Sequence, residues 1–186
     1  MDSLTVSRYA SLESGRLLTY LSIITTLHER KCAGELVLYN PTVARWGPRN
    51  QRTLWLTRDA FQWCCPIIKH SDARVTDEAL ADLQYVLNSF VFRDDLEDEI
   101  DMRHLEPKEY EVWEFRSYVK FPRLRLFGSF ALPSIFVGVN YRVRDDLELR
   151  RGPKWDSAIR DTRDAICNLF NGELPCSRSS FSDYLS

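Results

Sequence analysis

The sequence predicts an α+β protein in which helices pack on a small antiparallel β-meander and a helix closes the C-terminal end. Three observations predict it. Apolar residues recur at helical spacing over Leu80, Leu83, Val86, Leu87, Phe90 and Val91. From Tyr110 onward the period becomes two, through Y-E-V-W-E-F-R-S-Y, R-L-R-L-F-G-S-F-A and S-I-F-V-G-V-N-Y-R-V-R. Helical spacing then returns over Trp155, Ile159, Ile166, Leu169 and Phe170.

Each element has a local cause. Leu17, Leu18, Leu21, Ile24 and Leu27 predict an amphipathic helix over about residues 11–30. Glu35 to Tyr39 follows Gly34 as a strand and stops at Asn40-Pro41. Thr53 to Leu56 is a short strand, after which Thr57 caps a helix that ends near Pro66. Thr76 caps the next helix, with Asp77 and Glu78 at the end where the dipole favours anions. Short connections at Pro122 and at Leu132-Pro133 make the three later strands antiparallel neighbours. Asn171-Gly172 ends the closing helix. Residues 1–175 are thus expected to form a single domain, 1–75 as an N-terminal extension and 76–170 as its main half. The Ser-rich segment 176–186 is expected to be a flexible tail.

Composition narrows the function classes without choosing one. With 186 residues, 44% of them hydrophobic, the chain can bury a core unaided by disulfides or metals. A net charge of −2 excludes bulk polyanion affinity, so any nucleic-acid role must rest on a local patch. The five cysteines lack C-x-x-C spacing, and His28, His70 and His104 lie far apart, so no metal site is expected. Nucleotide-binding glycine motifs and a G-x-S-x-G elbow are also missing, and no cofactor is implied. The N-terminus lacks a signal pattern, and the apolar stretch Leu17 to Leu27 is broken by Thr19, Ser22, Thr25 and Thr26. The expectation is a cytoplasmic protein with no membrane association.

Alternation in the meander singles out one surface. It places Leu124, Leu126, Gly128 and Phe130 on one face, with Ile135, Val137, Val139, Tyr141 and Val143 likewise sharing a face. Arg116, Arg123, Arg125, Arg142 and Arg144, with Asn140, then collect on the opposite, open face. Guanidinium groups there can clamp phosphates bidentately; the plainer alternative is solvated arginines paired with Glu114 and Asp145. A second candidate surface is the turn R-W-G-P-R-N-Q-R, where Trp46 can stack and Arg49 can contact phosphate. Its alternative is a Trp that anchors the loop. The acidic run Asp94 to Asp101 lacks EF-hand spacing, and is either a solvated linker or a segment that lies against the arginine face.

The strand pattern of residues 76–170 resembles the RelE/HigB-like toxin family, which places helices before a small antiparallel sheet. The resemblance implies ribosome-associated mRNA cleavage, with Arg116, Arg125, Arg142 and Arg144 orienting the phosphate and Tyr118 or Tyr141 assisting. No residue in the pattern supplies an obvious base, and arginine is a poor one at neutral pH. The reading is therefore a non-catalytic macromolecule-binding or regulatory protein, of phage or mobile-element type, on a RelE-like scaffold. The alternative is a toxin that cleaves mRNA through the arginine-lined face. A protein partner is expected, with RNA as a second candidate.

Overall fold

The computed structural model describes residues 19–41, 52–66, 70, 72–92, 96–147, 152–172, 176–178 and 180–185. The period-two segments form β4 (Trp113–Arg116), β5 (Leu124–Leu132) and β6 (Ile135–Val143), an antiparallel meander. Its last turn is tight, with Ser134 at φ 62°. Three further short strands enlarge this meander into a six-stranded mixed sheet: β1 (Leu36–Leu38), β2 (Thr53–Thr57) and β3 (Met102–His104). The order is β1-β2-β6-β5-β4-β3, with β2 parallel to β6 and every other pair antiparallel. The N-terminal segment therefore supplies strands to the same sheet as the meander. Both edges are strands of three residues, which limits edge-to-edge pairing.

Among the described residues, five helices accompany the sheet. Residues 19–32 form α1. α2 (Arg58–Cys64) begins where the Thr57 hydroxyl accepts from the Ala60 amide, and α3 (Asp77–Phe92) where Thr76 accepts from Ala79. α4 (Pro153–Leu169) starts with Pro153, whose fixed φ suits a first helical turn, and ends at Asn171 and Gly172, both at positive φ. α5 (Phe181–Leu185) closes the chain. No helix among the described residues is long and apolar enough to cross a membrane.

The apolar stripe of α3 packs on one sheet face. Leu83, Val86, Leu87 and Phe90 meet Leu54, Leu56, Leu124, Leu126, Phe115, Phe130 and Phe136. Edge-on aromatic pairs fill its centre, Phe115–Phe136 at 4.9 Å and Phe130–Phe136 at 5.1 Å between ring centroids. Each such ring contributes roughly 1.5–3 kcal/mol by burial.

Four features depart from the sequence reading. The sheet face expected to be open is covered: Trp155, Ala158 and Ile159 of α4 pack on Phe127, while Ile166 and Leu169 join α1 over Val137 and Ala131. The single face assigned to β6 is split by a bulge, because Phe127 pairs with Asn140 but Gly128 with Gly138, leaving Val139 extra. Val137 and Val139 thus face α1 and α4, whereas Tyr141 and Val143 face α3. Gly128 permits the pinch, since a Cβ there would lie 2.1 Å from the Val137 carbonyl oxygen. The first meander strand begins at Trp113 instead of Tyr110, because Lys108–Tyr110 is a 3₁₀ turn and Glu111 is left-handed at φ 51°. Finally, the segment read as a flexible tail folds back as α5 and buries Tyr184 in the α3-side core, because the Tyr184 ring finds Phe130 and Trp113 at 4.9 Å each.

Candidate functional site

Three arginines stand side by side across three strands. Arg116 is the ladder partner of Arg125, and Arg125 is the partner of Arg142. Like charges directly opposite destabilise a sheet unless a counter-charge intervenes. Glu114 intervenes, with Oε2 3.2 Å from Arg125 Nε and Oε1 3.8 Å from Arg116 Nε. Glu114 and Arg125 are only 2% and 4% exposed, so this pair is desolvated.

Its electrostatics are strained in one sense. Burial pushes the Glu114 carboxyl above its usual range in spite of Arg125, Arg116, Arg103 and Arg144 around it. Burial likewise pulls Arg125 down to about 10; Glu114 opposes this, while Arg116, Arg123 and Arg144 add to it. The Nε groups of Arg103, Arg116 and Arg125, and Glu114 Oε2, are buried without an aligned hydrogen bond. Glu114 thus sits buried among several guanidinium groups, which Glu99, Asp145 and Asp161 meet from outside.

The other predicted residues divide into two groups. Arg123 and Arg142 join the row: their side chains are 44% and 37% exposed, against 29% for Arg116. Arg123 pairs with Asp145 at 2.8 Å, and Arg142 reaches Asp161 of α4 at 3.9 Å while donating to Asn140 Oδ1. Asn140 and Arg144 are turned to α4 instead. Asn140 donates to Ala158 O and Thr162 Oγ1, and the Arg144 guanidinium lies 5.3 Å from the Trp155 ring centre. Trp46 and Arg49 lie outside the described residues. Part of the acidic run does meet the arginines: Glu99 pairs with Arg103 at 3.1 Å, and its carbonyl accepts from Arg116.

The β4–β5 loop adds aromatic surface at the same end of the sheet. Tyr118 and Phe121 are 49% and 67% exposed, and the Tyr118 hydroxyl donates to Asp101. The Tyr141 ring is on the other face, stacked on Trp63 at 4.7 Å, and only its backbone carbonyl meets the row, accepting from Arg142.

Sequence reasoning missed a concavity between β3, β4 and the end of the chain, about 600 Å³ in volume. His104, Glu111, Trp113 and Tyr184 line it, on the sheet face opposite Glu114 and Arg125. No sequence spacing announces it, since Glu111 and Tyr184 are 73 residues apart. Among the described residues no group of three or more His, Cys, Asp or Glu side chains is placed to hold a metal ion. Set against protein-family models, curated proteins and solved structures, the chain gives no match.

Proposed function

We propose that this chain is a non-catalytic binding protein that holds single-stranded RNA on the arginine row whose outer members, Arg116 and Arg142, flank the buried Arg125. The cross-strand register of those three residues carries the reading, because it aligns guanidinium groups at strand spacing with a single buried carboxylate among them. Tyr118 and Phe121, exposed beside the row, give bases a surface to stack on. Arginine contributes phosphate contacts that are bidentate and independent of sequence. The RelE/HigB-like resemblance enters the proposal as a scaffold only. Cleavage through a ribose 2′-OH needs a proton acceptor at the phosphate, and the carboxylate within the row, Glu114, is sealed behind Arg125.

Fluorescence anisotropy with a labelled single-stranded RNA tests the proposal. Binding at low salt, weakened at least about tenfold in Arg116→Ala/Arg142→Ala, is the expected result, with the RNA intact after incubation. RNA that is bound and cut would move the reading to the nuclease class. No binding at low salt would send the row to an acidic protein partner.

A further inference from the structure

The cavity behind Trp113 has the makings of a ligand site that owes nothing to the arginine row. Trp113 is 2% exposed, stacks parallel to His104 at 4.4 Å and 4°, and lies near-parallel to Phe181 at 5.6 Å and 27°. With its flanks taken by rings, its remaining polar feature is the indole Nε1–H, which is buried and has no acceptor. Buried indole N–H groups ordinarily find one. His104 Nε2 is likewise buried without a hydrogen bond, 3.7 Å from Glu111 Oε2.

Glu111 supplies the complementary acceptor. Its backbone is left-handed at φ 51°, a conformation that costs a non-glycine residue free energy and recurs where side chains are held for binding. The Tyr184 hydroxyl fixes its carboxylate by donating to Oε2 at 2.7 Å. An unpartnered N–H donor and a fixed carboxylate thus line one cavity of about 600 Å³, among flat rings and within the range of small-molecule sites. Nucleobase edges present an acceptor next to an N–H donor, and proteins read single bases by such edges together with aromatic stacking. The exposed cations Lys108 and Arg178 line the same space and can meet a phosphate, beside the acids Asp98, Glu109 and Glu111.

We infer that this cavity binds a nucleoside monophosphate, its base edge meeting Trp113 Nε1–H and the Glu111 carboxylate and its phosphate meeting Lys108 and Arg178. The site works on the α3 side of the sheet and does not need the arginine row.

Isothermal titration of the full chain with AMP, GMP, CMP and UMP, beside ribose 5-phosphate and inorganic phosphate, tests this directly. The expected result is at least one nucleotide binding about tenfold or more tighter than ribose 5-phosphate, with a shift of the Trp113 indole resonance in a ¹⁵N-correlated NMR spectrum. Trp113→Phe assigns that resonance. Lys108→Ala, at an exposed position that does not endanger the fold, and Glu111→Gln, which keeps the side-chain shape, each weaken binding by about tenfold. Nucleotides that bind no tighter than ribose 5-phosphate, or that leave the Trp113 resonance in place, overturn the proposal. The same titration on Arg116→Ala/Arg142→Ala separates the two surfaces: loss of mononucleotide binding there places the ligand on the row and also overturns it.

Discussion

Arg125 Nε lies 3.2 Å from Glu114 Oε2 with both side chains sealed from solvent, at the centre of the arginine row. Burial drives both partners toward their neutral forms, so the pair is retained against its own desolvation. Removing one partner strands the other. Arg125→Leu is expected to lose about 3–5 kcal/mol of unfolding free energy, and Glu114→Leu/Arg125→Leu distinctly less than the sum of the single changes. Urea unfolding of the three variants reads this, and additive losses would contradict it.

Tyr184 fastens the chain end to the core. Its hydroxyl donates to Glu111 and accepts from the Arg178 amide at 2.8 Å, and its backbone carbonyl accepts from Ser134. Tyr184→Phe leaves a buried carboxylate without its donor and is expected to cost about 1–3 kcal/mol in chemical denaturation. A loss within error of zero would mean that α5 does not dock as described.

His104 sets a pH dependence. Burial holds its imidazole below the ordinary value; Lys108's charge acts the same way, while Glu111, Glu106 and the Lys108 backbone act against it. The folded form therefore binds its proton at lower pH than the unfolded chain does. The stability His104 contributes is fully present above the unfolded value of about 6.5 and is lost as pH falls through the folded one. Unfolding free energies at about pH 7.5 and about pH 5.5 should fall more steeply for the wild type than for His104→Gln. Equal slopes would show that His104 does not set the pH dependence of stability.

The sequence reading succeeded where one-dimensional period maps onto one packed face. The α3 stripe from Leu80 to Val91 and the β5 alternation of Leu124 and Leu126 against Arg125 and Phe127 are such cases. It failed where a single extra residue, Val139, reverses the pleat, since a bulge leaves the composition of β6 unchanged. Trp155 and Ile159 were legible as core residues, but spacing does not say which sheet face a helix will cover, so α4 on the arginine side was unforeseen. Trp113, Glu111 and Tyr184 meet only through the return of the chain end, and no local pattern carries that information.

The thiols should divide by burial. Cys64 is fully buried and burial pushes its thiol well up; burial raises Cys65 to about 11, and Cys176 is also raised. Cys32 is exposed. Thiolate is the reacting form, so an aromatic disulfide reagent at neutral pH should label Cys32 in the fastest phase, and Cys64, Cys65 and Cys176 chiefly after unfolding. Cys32→Ser should abolish that phase; its persistence would show a second accessible thiol.

The salt dependence of RNA binding reads how many guanidinium groups meet phosphate. Three accessible guanidinium groups, on Arg116, Arg123 and Arg142, predict a slope near about −2 for log K against log salt, at roughly −0.7 per phosphate contact on a single strand. Arg116→Ala/Arg142→Ala should flatten the slope by about 1.4 while the protein stays folded. A wild-type slope near zero, or one unchanged in the double variant, would contradict a binding surface built on the arginine row.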